Sequence, residues 1–212
     1  MSARGQTPWV KICGITCAAD AELAVAAGAD AIGLNFVPSS KRYVDEQAAR
    51  RIVEQVGARI ECVGVIADLS FAEAEALRSA VGFQWLQLHG REAPERVAEH
   101  ERAFQAVAIG SAADAERAAL YGGERLLLDA KSDGALGGTG KVFDWQLVRS
   151  LCRARRVILA GGLTPENVGT ALKSVEPWGV DVASGVEIAG EPRRKDQLKV
   201  TRFVQAARDA NK

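Results

Sequence analysis

Histidine and cysteine are scarce in this 212-residue chain, with two of the first and four of the second. The cysteines (Cys13, Cys17, Cys62 and Cys152) are scattered, so a disulfide framework is not expected. Cys13 and Cys17 lack a second Cys or His cluster to complete a tetrahedral zinc site, and His89 and His100 show no metal-ligand spacing. No metal is expected. An excess of charge is also absent: 27 Lys and Arg stand against 27 Asp and Glu. That balance argues against a nucleic-acid partner, whose affinity needs surplus cations facing phosphates. No apolar run approaches the ~20 residues of a membrane span, and the first eight residues lack the apolar core of a signal peptide. These absences leave a soluble, cytoplasmic protein with a core of ordinary size.

What is present is a regular alternation. Short apolar or β-branched runs at 9–13, 31–35, 61–66, 85–88, 103–108, 125–129, 157–160 and 179–182 read as strands. Between them, stretches such as 18–27, 45–56, 70–80 and 112–121 carry apolar residues at three and four spacing and read as helices, as does 195–210 at the end. In that last stretch Leu198, Phe203 and Val204 are expected on one helical face. Asp45, Ser70 and Thr164 followed by Pro165 are expected helix starts. Strand–helix repetition implies a parallel sheet, because parallel neighbours need a crossover. Eight units without a linker fit one α/β domain over 1–212, a single-domain (β/α)8 TIM barrel. The rival, a doubly wound open sheet, normally shows a glycine fingerprint after its first strand. Here that turn is Cys13-Gly-Ile-Thr-Cys17.

In such barrels the reacting groups sit at the C-terminal ends of the strands. Strand alternation turns Val10 and Ile12 toward the helices, so Lys11 and Cys13 face the interior. The same alternation puts Arg125, Leu127 and Asp129 on one face. A thiol and a carboxylate at two strand ends can serve a small substrate as base and acid. Alternatively, Cys13 is a small buried hydrophobe and Asp129 a helix cap. The seventh and eighth strands end in glycine turns, Gly161-Gly162 and Ser184-Gly185, where backbone N–H groups can approach a phosphate. Arg42 can fork onto a carboxylate. Gln87 and His89 share a face at the mouth, and His100, between Glu99 and Glu101, is expected on the surface. The glycine-rich segment 134–141 fails as a P-loop, with Ala135 and Val142 where the pattern needs Gly and Ser or Thr. It suits a mobile lid.

Seven motifs, taken in order, give a more specific reading: Lys11-Ile-Cys-Gly-Ile-Thr16, Ser40-Lys-Arg-Tyr43, Gln87-Leu-His-Gly90, Leu128-Asp129, the segment 137–145, Gly161-Gly-Leu-Thr-Pro-Glu-Asn167 and Asp181-Val-Ala-Ser-Gly-Val-Glu187. From Val10 to about Phe203 the chain resembles phosphoribosylanthranilate isomerase of tryptophan biosynthesis. It departs at Cys17, at Ala183, and at 105–110, where the resemblance leads one to expect a lysine. The resemblance implies a cofactor-free Amadori rearrangement of a phosphorylated small-molecule substrate. Asp129 would be the general acid and Cys13 the general base. Arg42 would hold the anthranilate carboxylate, and Gly161, Gly162, Ser184 and Gly185 the phosphate. Lys11 is the expected cation beside the thiol, and Asp181, across the barrel closure, is its expected partner among the substrate-site residues. A sister isomerase of histidine biosynthesis resembles a two-Asp design, against which the Cys13 thiol discriminates. A non-catalytic phosphate-binding barrel is the alternative of another class. A monomer is expected, with a homodimer as the other possibility.

Overall fold

A computed structural model describes residues 7–130 and 143–210. Eight strands alternate with eight helices: β1 (Trp9–Cys13), α1 (Ala18–Ala27), β2 (Ala31–Asn35), α2 (Glu46–Val56), β3 (Glu61–Ile66), α3 (Phe71–Val81), β4 (Trp85–Leu88), α4 (Pro94–Glu99), β5 (Ala103–Ile109), α5 (Ala112–Ala118), β6 (Arg125–Ala130), α6 (Arg149–Ala154), β7 (Arg156–Leu159), α7 (Val168–Val175), β8 (Gly179–Val182) and, last, α8 (Gln197–Asp209). Every neighbouring pair runs parallel, and β8 pairs back onto β1, closing the barrel. The strands expected from the sequence all form, with bounds within one residue. Among the described residues no helix is long and apolar enough to cross a membrane.

Alternation along each strand builds two cores. Outward residues such as Val10, Ile12, Ile32, Leu34, Leu126 and Leu128 pack under the helices. Inward residues Trp9, Ala31, Val63, Trp85, Phe104, Ala106, Leu127, Ile158 and Ala160 fill the barrel. The lower end is closed by Arg125, whose guanidinium lies 3.7 Å above the Trp85 ring and 5.1 and 5.0 Å from Trp9 and Trp178. It also forks onto Glu61 at 2.8 and 3.2 Å.

Local chemistry sets the helix starts. Asp45 accepts from Ala48 N at 2.7 Å, and Ser70 forms a reciprocal capping box with Glu73. Five expectations need correction. The helix expected at Thr164-Pro165 begins instead at Val168, because Asn167 folds back onto Thr164 N and Gly162 O and holds 164–167 as a turn. The helix expected over 112–121 stops at Ala118. The last helix begins at Gln197, because Lys195 ends a hairpin strand, β10 (Glu191–Lys195), paired with β9 (Glu187–Ile188). Its buried face is Val200, Phe203, Val204 and Ala207, and this leaves Leu198 two-thirds exposed. His100 is not on the surface. Since α4 ends at Glu99, the backbone turns extended and carries the ring inward, onto Phe71 and within 2.7 Å of Glu75 Oε1.

Candidate active site

Two of the site's side chains come from the first strand. Lys11 and Cys13 point into the barrel, as alternation requires, with Cys13 opposite Gly33 of β2. Gly33 is there for space: a Cβ at this position would lie 2.7 Å from Cys13 Sγ and 3.0 Å from Lys11 Nζ. The Lys11 ammonium is fully buried and donates to Asp181 Oδ1 at 2.8 Å and Gln87 Oε1 at 3.0 Å. The expected Lys11–Asp181 pair across the barrel closure therefore forms. Burial lowers the lysine's pKa, but Asp181 and Cys13 outweigh it and hold Lys11 above its ordinary pKa.

An ammonium only donates, so the Gln87 atom facing it is the carbonyl oxygen. The amide nitrogen of Gln87 is then left to donate to His89 Nδ1, 3.0 Å away. His89 consequently carries its proton on Nε2. Burial, with Lys11 nearby, pushes its pKa down and keeps the ring neutral. Asp181, Lys11, Gln87 and His89 form one hydrogen-bonded chain, and the buried lysine satisfies two of its members.

Asp129 is the last residue but one of β6 and is buried, with its pKa pushed up to about 7 by burial and by Asp181, against smaller opposing effects of the Ala130 backbone and Lys11. Gly161 makes room for it. That residue has φ +84°, and a Cβ there would sit 2.8 Å from Asp129 Oδ1 and 2.3 Å from Ala130 N. The Cys13 thiol is likewise pushed up by burial; Lys11 and Lys195 pull it down and Asp181 pushes it further up. Lys11 and Asp181 thus act on both candidate reacting groups. The expectation that a neighbouring cation lowers the thiol pKa holds for the Lys11 contribution, but burial outweighs it.

Around the mouth, Gly161 and Gly162 both have positive φ, and Ser184 opens a three-residue 3₁₀ turn. The β7 and β8 loops touch: a Cβ on Gly185 would meet Leu163 O at 2.0 Å. Arg42 lies across Gly14 and forks onto Glu187, Nε–Oε1 at 2.6 Å and Nη2–Oε2 at 3.0 Å. Lys195, fully buried, donates to Glu187 Oε1 and to Ala183 O, both at 3.1 Å. Glu187 and Lys195 escaped the sequence reading. Glu187 closes a recognised motif, which was its only signal, and Lys195 read as the start of a helix. The lid segment 134–141 lies outside the described residues. Among the described residues no group of three or more His, Cys, Asp or Glu is placed to hold a metal.

A closed parallel barrel with a buried thiol and a carboxyl of raised pKa at its strand ends has the make-up of a (β/α)8-barrel enzyme. The family model described as N-(5'-phosphoribosyl)anthranilate (PRA) isomerase matches residues 10–206. The isomerase of Desulforudis audaxviator is 44% identical over 95% of this chain and 98% of its own length. The crystal structure of the Thermotoga maritima PRA isomerase is similar with a TM-score of 0.87 and 38% identity, over 95% of this chain and 99% of that one. A second crystal structure, of a PRA isomerase in complex with reduced 1-(o-carboxyphenylamino)-1-deoxyribulose 5-phosphate, has a TM-score of 0.83 and 36% identity over the same shares. The chain belongs to the PRA isomerase family, the isomerases of tryptophan biosynthesis.

Proposed function

We propose that this chain converts N-(5-phosphoribosyl)anthranilate into 1-(2-carboxyphenylamino)-1-deoxyribulose 5-phosphate, with Asp129 as general acid and Cys13 as general base. The observation that carries this reading is the pairing of a carboxyl raised to about 7 with a thiol beside a fixed ammonium, both over one buried polar chain. At neutral pH a large share of Asp129 is protonated, so it can give its proton to the ribose ring oxygen as the C1–O bond breaks. The ring opens to an iminium, which acidifies the C2 proton. The ionised fraction of Cys13, stabilised by the Lys11 ammonium, removes that proton; the C2–H electrons form the C1=C2 bond and the C=N electrons pass to the nitrogen, giving an enolamine. Tautomerisation to the ketone completes an isomerisation with no net gain or loss of atoms.

The remaining residues bind. Arg42 takes the anthranilate carboxylate. The Gly161-Gly162 and Ser184-Gly185 turns offer N–H groups and a hydroxyl to the phosphate. His89 presents its Nε2–H, and Asp181 holds Lys11 under the thiol. The sister reaction on a histidine-pathway substrate is disfavoured by the thiol in place of a second carboxylate.

The test is turnover of phosphoribosylanthranilate by the parent protein, Cys13→Ala and Asp129→Ala. Each substitution is expected to lower kcat by about 10²–10⁴-fold, the usual contribution of a positioned acid or base. Full activity in Cys13→Ala would remove the base assignment. Ligand binding without turnover in the parent protein would favour a binding barrel instead.

A further inference from the structure

Arg42 is paired with Glu187, and the geometry of that pairing is informative. A guanidinium has two edges able to grip a carboxylate: a side edge formed by Nε and one terminal nitrogen, and an end edge formed by the two terminal nitrogens. Glu187 occupies the side edge, through Nε and Nη2. The end edge has no side-chain partner among the described residues. Arg42 crosses Gly14, the residue after Cys13, and its charge acts on both Cys13 and Asp181, so the guanidinium lies at the mouth. Glu187 is itself held, accepting from Lys195 Nζ while Lys195 N donates to Asp20. With Lys195 protonated, Arg42, Lys195 and Glu187 carry one uncompensated positive charge, the complement of a single carboxylate.

We infer that Glu187 is a specificity-determining positioning residue: by holding the side edge of Arg42, with Lys195 as its own anchor, it presents the end edge to the aromatic carboxylate of the substrate. The inference rests on the reading that Arg42 binds that carboxylate. It adds a reason for the β9–β10 hairpin, which brings both Glu187 and Lys195 to the mouth. A free arginine would lose more side-chain entropy on binding; a pre-oriented fork has already lost it.

The experiment compares kcat/KM for phosphoribosylanthranilate and for its aniline analogue, which lacks the carboxylate, in the parent protein, Arg42→Met, Glu187→Gln, Glu187→Asp and Lys195→Met. In Glu187→Gln the preference for the carboxylate-bearing substrate is expected to fall by about tenfold, the size of one charge-assisted hydrogen bond. KM should rise by more than kcat falls, and turnover of the aniline analogue should change less than that of phosphoribosylanthranilate. Glu187→Asp and Lys195→Met should fall between Glu187→Gln and the parent, and melting temperatures check that each variant folds. If Arg42→Met loses the preference while Glu187→Gln and Lys195→Met keep it, the inference fails and the Arg42 reading survives. If Arg42→Met keeps the preference, the Arg42 reading fails and takes the inference with it. Tighter substrate binding in Glu187→Gln would make Glu187 a competitor of the ligand and also overturn the inference.

Discussion

At the scale of single residues, Asp129 shows what burying a carboxyl costs in stability. Its pKa of about 7 in the fold stands well above the ordinary 3.8. Between those values the folded state holds a proton that the unfolded chain has lost, so this group makes stability fall as pH rises from about 4 to about 7. At about 1.4 kcal/mol per unit, the cost above pH 7 has an upper bound of about 4 kcal/mol. Asp129→Asn has no such proton to lose. Urea unfolding at pH 5 and pH 8 should therefore show the variant gaining on the parent at the higher pH while losing activity at both. Equal pH dependence in the two proteins would mean that Asp129 is not a buried acid. Cys13 was legible from strand alternation and Asp129 from its place at a strand end. The Arg42–Glu187–Lys195 cluster was not legible, because a hairpin between β8 and α8 sets its geometry, and its residues carry no periodicity that marks a strand.

Among the elements, β1 and β2 show that a site needs absent atoms as well as present ones. Gly33 has no left-handed φ, so the strand backbone itself tolerates alanine there. The clash is with Cys13 Sγ and the Lys11 ammonium. Gly33→Ala is expected to fold at a cost of roughly 1–3 kcal/mol from overpacking. Its activity should fall by about 10²-fold through misplacement of the thiol. Denaturation midpoints and kcat/KM measured on the same preparation separate the two effects; a normal kcat would remove the thiol from its assigned place. The strands were readable because each needs one face apolar toward the helices. The start of α7 was not, since Thr164-Pro165 satisfies the local rules for a helix start and only the Asn167 side chain turns those residues into a loop.

The molecule as a whole divides along the barrel axis. The polar chain and candidate acid and base lie at the strand C-termini, and the Arg125–Trp85–Trp9–Trp178 cluster closes the other end. Arg125→Met should lower unfolding stability by roughly 2–3 kcal/mol, from the lost cation–ring contact and the lost Glu61 bonds. kcat/KM below the melting temperature should stay near the parent value; a large loss of activity would show that the two ends are coupled. The overall charge balance of 27 against 27 says nothing of this division, because the cations that matter are three side chains at one end, the buried Lys11 and Lys195 and the partly buried Arg42. The Lys11–Asp181 contact spans 170 positions of sequence, and Glu187 and Lys195 come later still. The buried Lys11 ammonium of β1 thus takes its ion-pair partner from β8, across the closure. The seam that completes the ring also completes this charge balance, so slipping β8 against β1 would strand a buried charge as well as unpair the sheet.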